Sequence, residues 1–378
     1  MAAFLTGGCS EGESFGHPSA EREKRVEVSF RLETVGTDVS LGPLARATSY
    51  TQWFRNTARL LILKKADTRW IVDTTQTVLL DAQSGPWAEL KIAGDLPPCP
   101  FNLELRPGDY RIVAVINWGS ADWNNDLIPG KVVSDETDGS LRTPPLLTYT
   151  ISTHWMNNGY RQLSREVFVA VADFPVPKSG DLHSAGVPPV TLRAERRVAK
   201  FRVLLKDKPS PVNGFSFDMT AHTVQMLLTS KTEPFAEGID ALGGMYYGDP
   251  ALYELPCCMS TMGDFHSSGT ERYQMCQTNS TVFSPFVFAD PASELPIGIL
   301  DIDISGASGG YTYKTDQTFA RTLAASKISG IVFETTDTYD DSSSQIRIDV
   351  VEATDDAGNP ENAAALFDSF FEWNASPY

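Results

Sequence analysis

Apolar and polar residues alternate at period two along most of this chain, and that alternation predicts strands. Val26, Val28, Phe30 and Leu32 are interleaved with Glu27, Ser29, Arg31 and Glu33. Successive side chains of a strand point to opposite faces, so this segment reads as a half-buried strand. Leu60–Leu63 and Trp70–Val72 follow, joined through a turn at Asp67. Thr77–Leu80 and Ala88–Ile92 come next, and then Phe101, Leu103 and Leu105 alternate with Asn102 and Glu104. Pro107-Gly108 marks a turn. The strand from Tyr110 to Ile116 is apolar on nearly both faces, which predicts a central position in its sheet.

Further strands are predicted at Leu146–Ile151, Val167–Val171, Val190–Leu192 running into Val198–Leu205, Phe215–Met219 and Thr223–Leu228. More follow at Thr281–Phe288, Ile297–Ile304, Tyr311–Tyr313, Lys327–Phe333 and Ile346–Val351. Helical signals are confined to Gln317–Ser326 and Glu361–Phe371. The stretch Lys231–Ser280 reads as one long irregular segment, and long loops of this kind are where binding surfaces sit. Between Asp173 and Pro189 lie Pro175, Pro177, Pro188 and Pro189, the strongest boundary in the sequence. Many short strands between turn signals predict an all-β protein with few short helices. The simplest division is a tether over residues 1–25, a β-sandwich over 26–187 and a second over 188–378.

Composition narrows the function. The chain has 378 residues, 42% hydrophobic, with a formal net charge of -17. That acidity excludes nucleic acid as a natural partner, because phosphate contacts need clustered Lys and Arg. No apolar run approaches the ~20 residues of a membrane-spanning helix. The five histidines are His17, His154, His183, His222 and His266, and no metalloprotease, nucleophile-elbow, P-loop or dinucleotide motif accompanies them. No enzyme activity, cofactor or metal is expected. Cys257, Cys258, His266 and Cys276 match no zinc-module spacing; these thiols and Cys99 read as buried or loop cysteines with room for one disulfide. Asp355-Asp356-Ala357-Gly358-Asn359 lacks the spacing of a calcium loop and reads as a solvated turn.

Two sites remain open to more than one reading. In Asn117–Asp126, Trp118 and Trp123 stand among Asn and Asp: they either hold a sugar by ring contact or cover the end of the core. At the start, Leu5-Thr6-Gly7-Gly8-Cys9 places an apolar residue and small residues before a cysteine, with polar sequence after it. Cys9 is either a lipid attachment site or a thiol in an unpacked terminus.

Leu5–Cys9 resembles the lipobox of bacterial lipoproteins, and the acidic residues after Cys9 resemble a surface-export signal of Bacteroidetes lipoproteins. Leu103–Asn117, LELRPGDYRIVAVIN, resembles a strand-turn-strand of Bacteroidales fimbrillins and fimbrial accessory proteins. Leu192–Val203, LRAERRVAKFRV, resembles the strand that opens their second domain, with Arg196, Val198, Ala199 and Lys200 in the matching places. Phe168–Pro175, FVAVADFP, resembles the segment just before that crossover. The resemblance implies two tandem transthyretin-like, Greek-key β-sandwiches and a surface-exposed lipoprotein of the outer membrane, held by a lipid on Cys9. It implies fimbrial subunits as partners, with a host or bacterial surface protein or glycan as a further one. It also implies assembly by β-strand complementation. Arg46, in PLARAT, is the candidate processing site, and Val26, Val28, Phe30 and Leu32 mark the strand that such a cut removes. The reading is a fimbrial stalk, anchor or accessory subunit in cell adhesion; a cell-surface glycan-binding lipoprotein is the alternative.

Overall fold

The computed structural model describes residues 25–35, 50–52, 57–79, 90–92, 99–116, 123–152, 160–162, 167–178, 189–207, 222–259, 262–268, 271–276, 286–306, 312–315, 318–325, 328–340 and 345–361. Among them every regular element is a strand. The chain begins with β1 (Val26–Val35), β2 (Tyr50–Gln52), β3 (Thr57–Ala66), β4 (Arg69–Leu79), β5 (Leu90–Ile92), β6 (Cys99–Leu105) and β7 (Gly108–Ile116). It continues through β8 (Val132–Asp135), β9 (Pro145–Thr148), β10 (Thr150–Ser152), β11 (Tyr160–Gln162), β12 (Phe168–Val176) and β13 (Val190–Arg196). Next are β14 (Val198–Asp207), β15 (His222–Ser230), β16 (Gly238–Asp240), β17 (Met245–Tyr246), β18 (Glu254–Met259), β19 (Met262–Ser268) and β20 (Glu271–Cys276). The last are β21 (Phe286–Phe288), β22 (Glu294–Gly306), β23 (Thr312–Thr315), β24 (Phe319–Ala324), β25 (Ile328–Asp340) and β26 (Gln345–Glu352).

The first large sheet has eight strands in the order β6-β1-β13-β12-β7-β3-β4-β8. As its sequence predicts, β7 is internal, between β12 and β3. Its two faces feed two cores. Tyr110, Ile112, Ala114 and Ile116 join one cluster with residues of β1, β3, β6, β12 and β13. Val113 and Val115 join the other. Leu60 and Ile62 of β3 divide from Leu61 and Leu63 in the same way. A continuous apolar run is therefore a strand buried on both sides. The β3–β4 hairpin turns at Asp67, whose φ of 54° is in the left-handed region that Asp tolerates better than most residues.

Beyond Arg197 two sheets face each other. One runs β19-β20-β14-β25-β26, with β21 also on β14; the other runs β18-β15-β22-β23, with β24 also on β22. Val198, Ala199, Phe288, Ile331 and Phe333 from the first meet Leu228, Leu255, Ile299, Phe319 and Leu323 from the second. This is sandwich packing, in which alternate inward residues build the core.

The same core continues across the outer face of the eight-stranded sheet, through Phe235, Ile239, Ala241 and Leu252 to Leu61, Val113 and Val169. Residues 231–255 therefore lie as a strap between the two parts. The strap is stitched by a three-stranded sheet, β17-β16-β9. Gly238 in β16 is required by close approach: a Cβ there would stand 1.9 Å from the Leu147 carbonyl oxygen. Gly243 has φ +88°, and a Cβ would meet Val171 Cγ2 at 2.3 Å. Its missing side chain lets the 240–244 turn rest on β7 and β12.

Three expectations change. Gln317–Ser326 is not a helix: β24 pairs with β22 and buries Phe319, Leu323 and Ala324. Apolar residues in that stretch suit either period, and the open edge of β22 decides. From Glu254 onward the Lys231–Ser280 segment is largely strand among the described residues, because β18 pairs with β15 and β19 forms a hairpin with β20. Finally, Val190–Leu205 is not one continuous strand. β13 enters the eight-stranded sheet beside β1 and β12, and β14 enters the next sheet. Arg197 is the switch: its N–H donates to the Val167 carbonyl (2.9 Å) and its carbonyl accepts from Ala289 N–H (3.0 Å). The strand expected at Phe215–Met219 lies outside the described residues, as does the expected helix beyond Glu361.

Candidate functional site

β1 has two neighbours, neither of which is near it in sequence. On one side it pairs antiparallel with β6, placing Val28 opposite Leu103 and Phe30 opposite Phe101. On the other it pairs parallel with β13, placing Leu32 opposite Leu192. Parallel strands need a long crossover, and here that crossover is nearly the whole first part of the chain. The inner face of β1 carries Val26, Val28, Phe30 and Leu32, exposed by 4%, 6%, 1% and 2%. These are the four residues the alternation singles out, and the structure brings all four into one core.

Phe30 anchors that seat. Its ring stacks on Phe101 of β6, with centroids 5.1 Å apart and planes 9° apart. It meets the Phe174 ring of β12 edge-on at 5.1 Å, and Phe174 in turn stacks near Tyr110 of β7 at 5.9 Å. Sequence reasoning placed Phe101 and Tyr110 on strands but did not join them to Phe30. No local pattern does so, because Phe174 lies 144 positions from Phe30.

The outer face of β1 is polar and lightly bonded. Asn102 Nδ2 donates to Glu27 Oε1 (2.5 Å), and Arg193 Nε donates to Glu33 Oε1 (3.1 Å). Arg31 Nε lies 3.6 Å from the other Glu33 oxygen. The Arg31 and Arg193 side chains are 54% and 73% exposed, so these contacts align the strand more than they hold it. What holds β1 is two ladders of backbone bonds and four apolar side chains.

Of the other expected site residues, Cys9, Arg46 and Trp118 lie outside the described residues. Trp123 is 3% exposed, bridges to Leu147 and lies beneath the Arg59 guanidinium, 4.2 Å from its ring centroid. It closes the core and presents no ring face to a sugar. The acids of 355–359 form a turn: Asp355 Oδ1 accepts from the N–H groups of Ala357 and Asn359, both at 2.9 Å. Those donors hold the Asp355 carboxyl below its ordinary value. Among the described residues no group of three or more His, Cys, Asp or Glu could hold a metal ion.

Two ionisable groups in the strap, Asp240 and Tyr247, are shifted the other way, both by burial. Asp240 is pushed up by burial, against the pull of the Leu242 and Gly244 N–H groups and of Arg111. Arg111 itself makes a paired contact with both oxygens of Asp173 (2.6 Å each) and lies 5.0 Å from the Trp70 ring centroid. The guanidinium depresses the Asp173 carboxyl.

No protein-family model matches the chain, and no curated protein matches it in sequence. Bacteroidales fimbrial and adhesion proteins are among its structural neighbours. The fimbrial anchor protein Mfa2 of Porphyromonas gingivalis aligns at TM-score 0.39 and 9% identity, over 86% of this chain and 97% of that one. A fimbrial assembly protein of Parabacteroides distasonis aligns at 0.30 and 12%, over 87% and 100%. A Bacteroides thetaiotaomicron protein proposed to bind polysaccharide aligns at 0.44 and 11%, over 89% and 100%.

Proposed function

We propose that this chain is a fimbrial subunit, or a fimbrial anchor or accessory protein, that works in cell adhesion and joins its neighbours by β-strand complementation. The observation that carries the reading is the seat of β1. It is a strand bonded on both edges, filled by four apolar side chains, and tied to its neighbours by no hairpin. Removing it leaves two unpaired strand edges and an apolar groove lined by Phe101, Leu103, Phe174 and Leu192. Any extended segment with the same alternation fits that groove, since backbone bonds supply affinity and alternate pockets supply specificity.

The three sequence stretches that resemble fimbrillins fall around this seat. LELRPGDYRIVAVIN supplies the end of β6 and all of β7, FVAVADFP lies in β12, and LRAERRVAKFRV runs from β13 into β14 of the next sheet. In this reading a cut after Arg46 frees β1, whereas an anchor or accessory subunit keeps it. Lipidation of Cys9 holds the protein at the outer surface of the cell, with other fimbrial subunits as partners. The work is associative, without turnover of a substrate.

The magnitudes favour exchange over an empty groove. Each buried aliphatic or aromatic side chain of β1 contributes roughly 1.5–3 kcal/mol. Four of them match a large share of the ~5–15 kcal/mol that stabilises a typical domain. A chain that starts at Ala47 is therefore expected to self-associate or to capture a donor strand, and added peptide spanning residues 25–35 should return it to a monomer. Size-exclusion chromatography with light scattering reads the outcome. A chain starting at Ala47 that stays monomeric with an unchanged melting temperature would remove strand complementation from this reading.

A further inference from the structure

Near the end of β14, Lys206 stands between two carboxylates. Its Nζ is 3.4 Å from Glu334 Oε1 and 2.6 Å from Glu361 Oε1. The three side chains are only 12%, 11% and 12% exposed. Lys206 and Glu334 face each other in register across the parallel β14–β25 pair. Glu361 arrives from another direction. The chain leaves β26, reverses through the turn closed by Asp355, and is pinned by the Glu361 N–H bond to the Ala353 carbonyl (2.9 Å). Glu361 Oε2 is buried and has no hydrogen-bond partner among the described residues.

An ion pair alone accounts poorly for that oxygen. Burying a carboxylate is favourable only when its lone pairs are satisfied, and Glu361 Oε2 has no donor among the described residues. The arrangement does suit a condensation. A nucleophilic amine lies against a carboxyl group, a second carboxyl group adjoins the amine, and water is largely excluded. Holding the reactants in contact replaces a bimolecular encounter by an internal step.

We propose that Lys206 and Glu361 form a side-chain amide cross-link, with Glu334 moving the protons. The Lys206 ammonium first passes a proton to the Glu361 carboxylate, giving a neutral amine and a neutral acid. The nitrogen lone pair attacks Cδ of Glu361, forming the C–N bond. Glu334 accepts a proton from the nitrogen and delivers it to the departing hydroxyl. The C–O bond breaks and water leaves. One ammonium and one carboxylate become one amide and one water, and no oxidant or co-reactant is needed. The product ties β14 to the chain beyond β26, so that tension on the C-terminal segment passes to the middle of a sheet through covalent bonds. The cross-link stands independently of strand complementation.

The test is the intact mass of the full chain, purified folded and then denatured. The chemistry predicts a chain one water lighter than its sequence. Proteolysis should release a branched peptide that contains both Lys206 and Glu361. Lys206→Arg keeps the positive charge and should restore the full mass, with folding checked by circular dichroism. Glu334→Gln should leave most of the chain uncondensed. A folded wild-type chain of unreduced mass carries a buried ion pair only and overturns the proposal. A lighter chain whose branched peptide lacks either residue overturns it as well.

Discussion

Phe30 shows what a single side chain does in this molecule. It is 1% exposed and touches aromatic rings on two other strands. Truncating such a ring costs the transfer energy and leaves a cavity. Phe30→Ala is expected to lose about 3–5 kcal/mol, read as a lower denaturant midpoint at unchanged slope. Asp240 behaves oppositely. Burial raises its folded pKa above the unfolded value, so the folded chain holds that proton more tightly than the unfolded one. The ionised carboxylate is therefore a burden above the folded pKa. The burden shrinks as pH falls through that pKa and is gone below the unfolded value. Asn keeps an oxygen for the Leu242 and Gly244 N–H groups. Asp240→Asn should raise the melting temperature at neutral pH, and the gain should vanish on acidification. A gain that grows at low pH would contradict the assignment.

At the scale of elements, β1 and β6 are neighbours with different standing. Both edges of β1 are bonded, whereas β6 pairs only with β1 among the described strands. Amides held between two strands exchange through large openings, and edge amides through small ones. Hydrogen exchange followed by mass spectrometry should show slower exchange in residues 26–35 than in 99–105. Equal or faster exchange in β1 would mean that the seat opens readily without cleavage. β1 and β13 contact each other across 160 positions, as Arg193 and Glu33 do. Pairing at that separation comes with a large loop-closure cost and forms late in folding. Under the proposed strand complementation, a strand that joins late and lacks a hairpin is the natural one to exchange.

For the whole molecule, the strap decides how the two parts behave. Tyr149 lies between β9 and β10, and its hydroxyl accepts the Phe288 N–H at 2.7 Å, while its ring meets the Phe288 ring at 4.7 Å. One apolar cluster runs from Leu61 through Ile239 to Phe333 without interruption. The parts should therefore unfold together. Tyr149→Phe leaves a buried N–H unpaired, a loss of about 1–3 kcal/mol. Calorimetry should record one transition at a lower temperature. Two separated transitions in the wild-type chain would show that the strap does not couple the parts.

The sequence by itself determined the all-β class, the two faces of β1, the internal position of β7, the turn at Asp67 and the break between β6 and β7 at Pro107. Each follows from the period-two geometry of one extended segment, and any window of a few residues contains the whole signal. The four apolar residues of the candidate seat were legible for that reason. Only the tertiary structure decided that β6 and β13 flank β1, that Phe174 closes on Phe30, and that the chain changes sheets at Arg197. It also decided that Phe319–Ala324 is a strand and that Trp123 is core. Each of these depends on which distant edge or ring is left to satisfy. Choosing among segments with equally good alternation is a property of the assembled sheets, where backbone bonds and close packing are completed together.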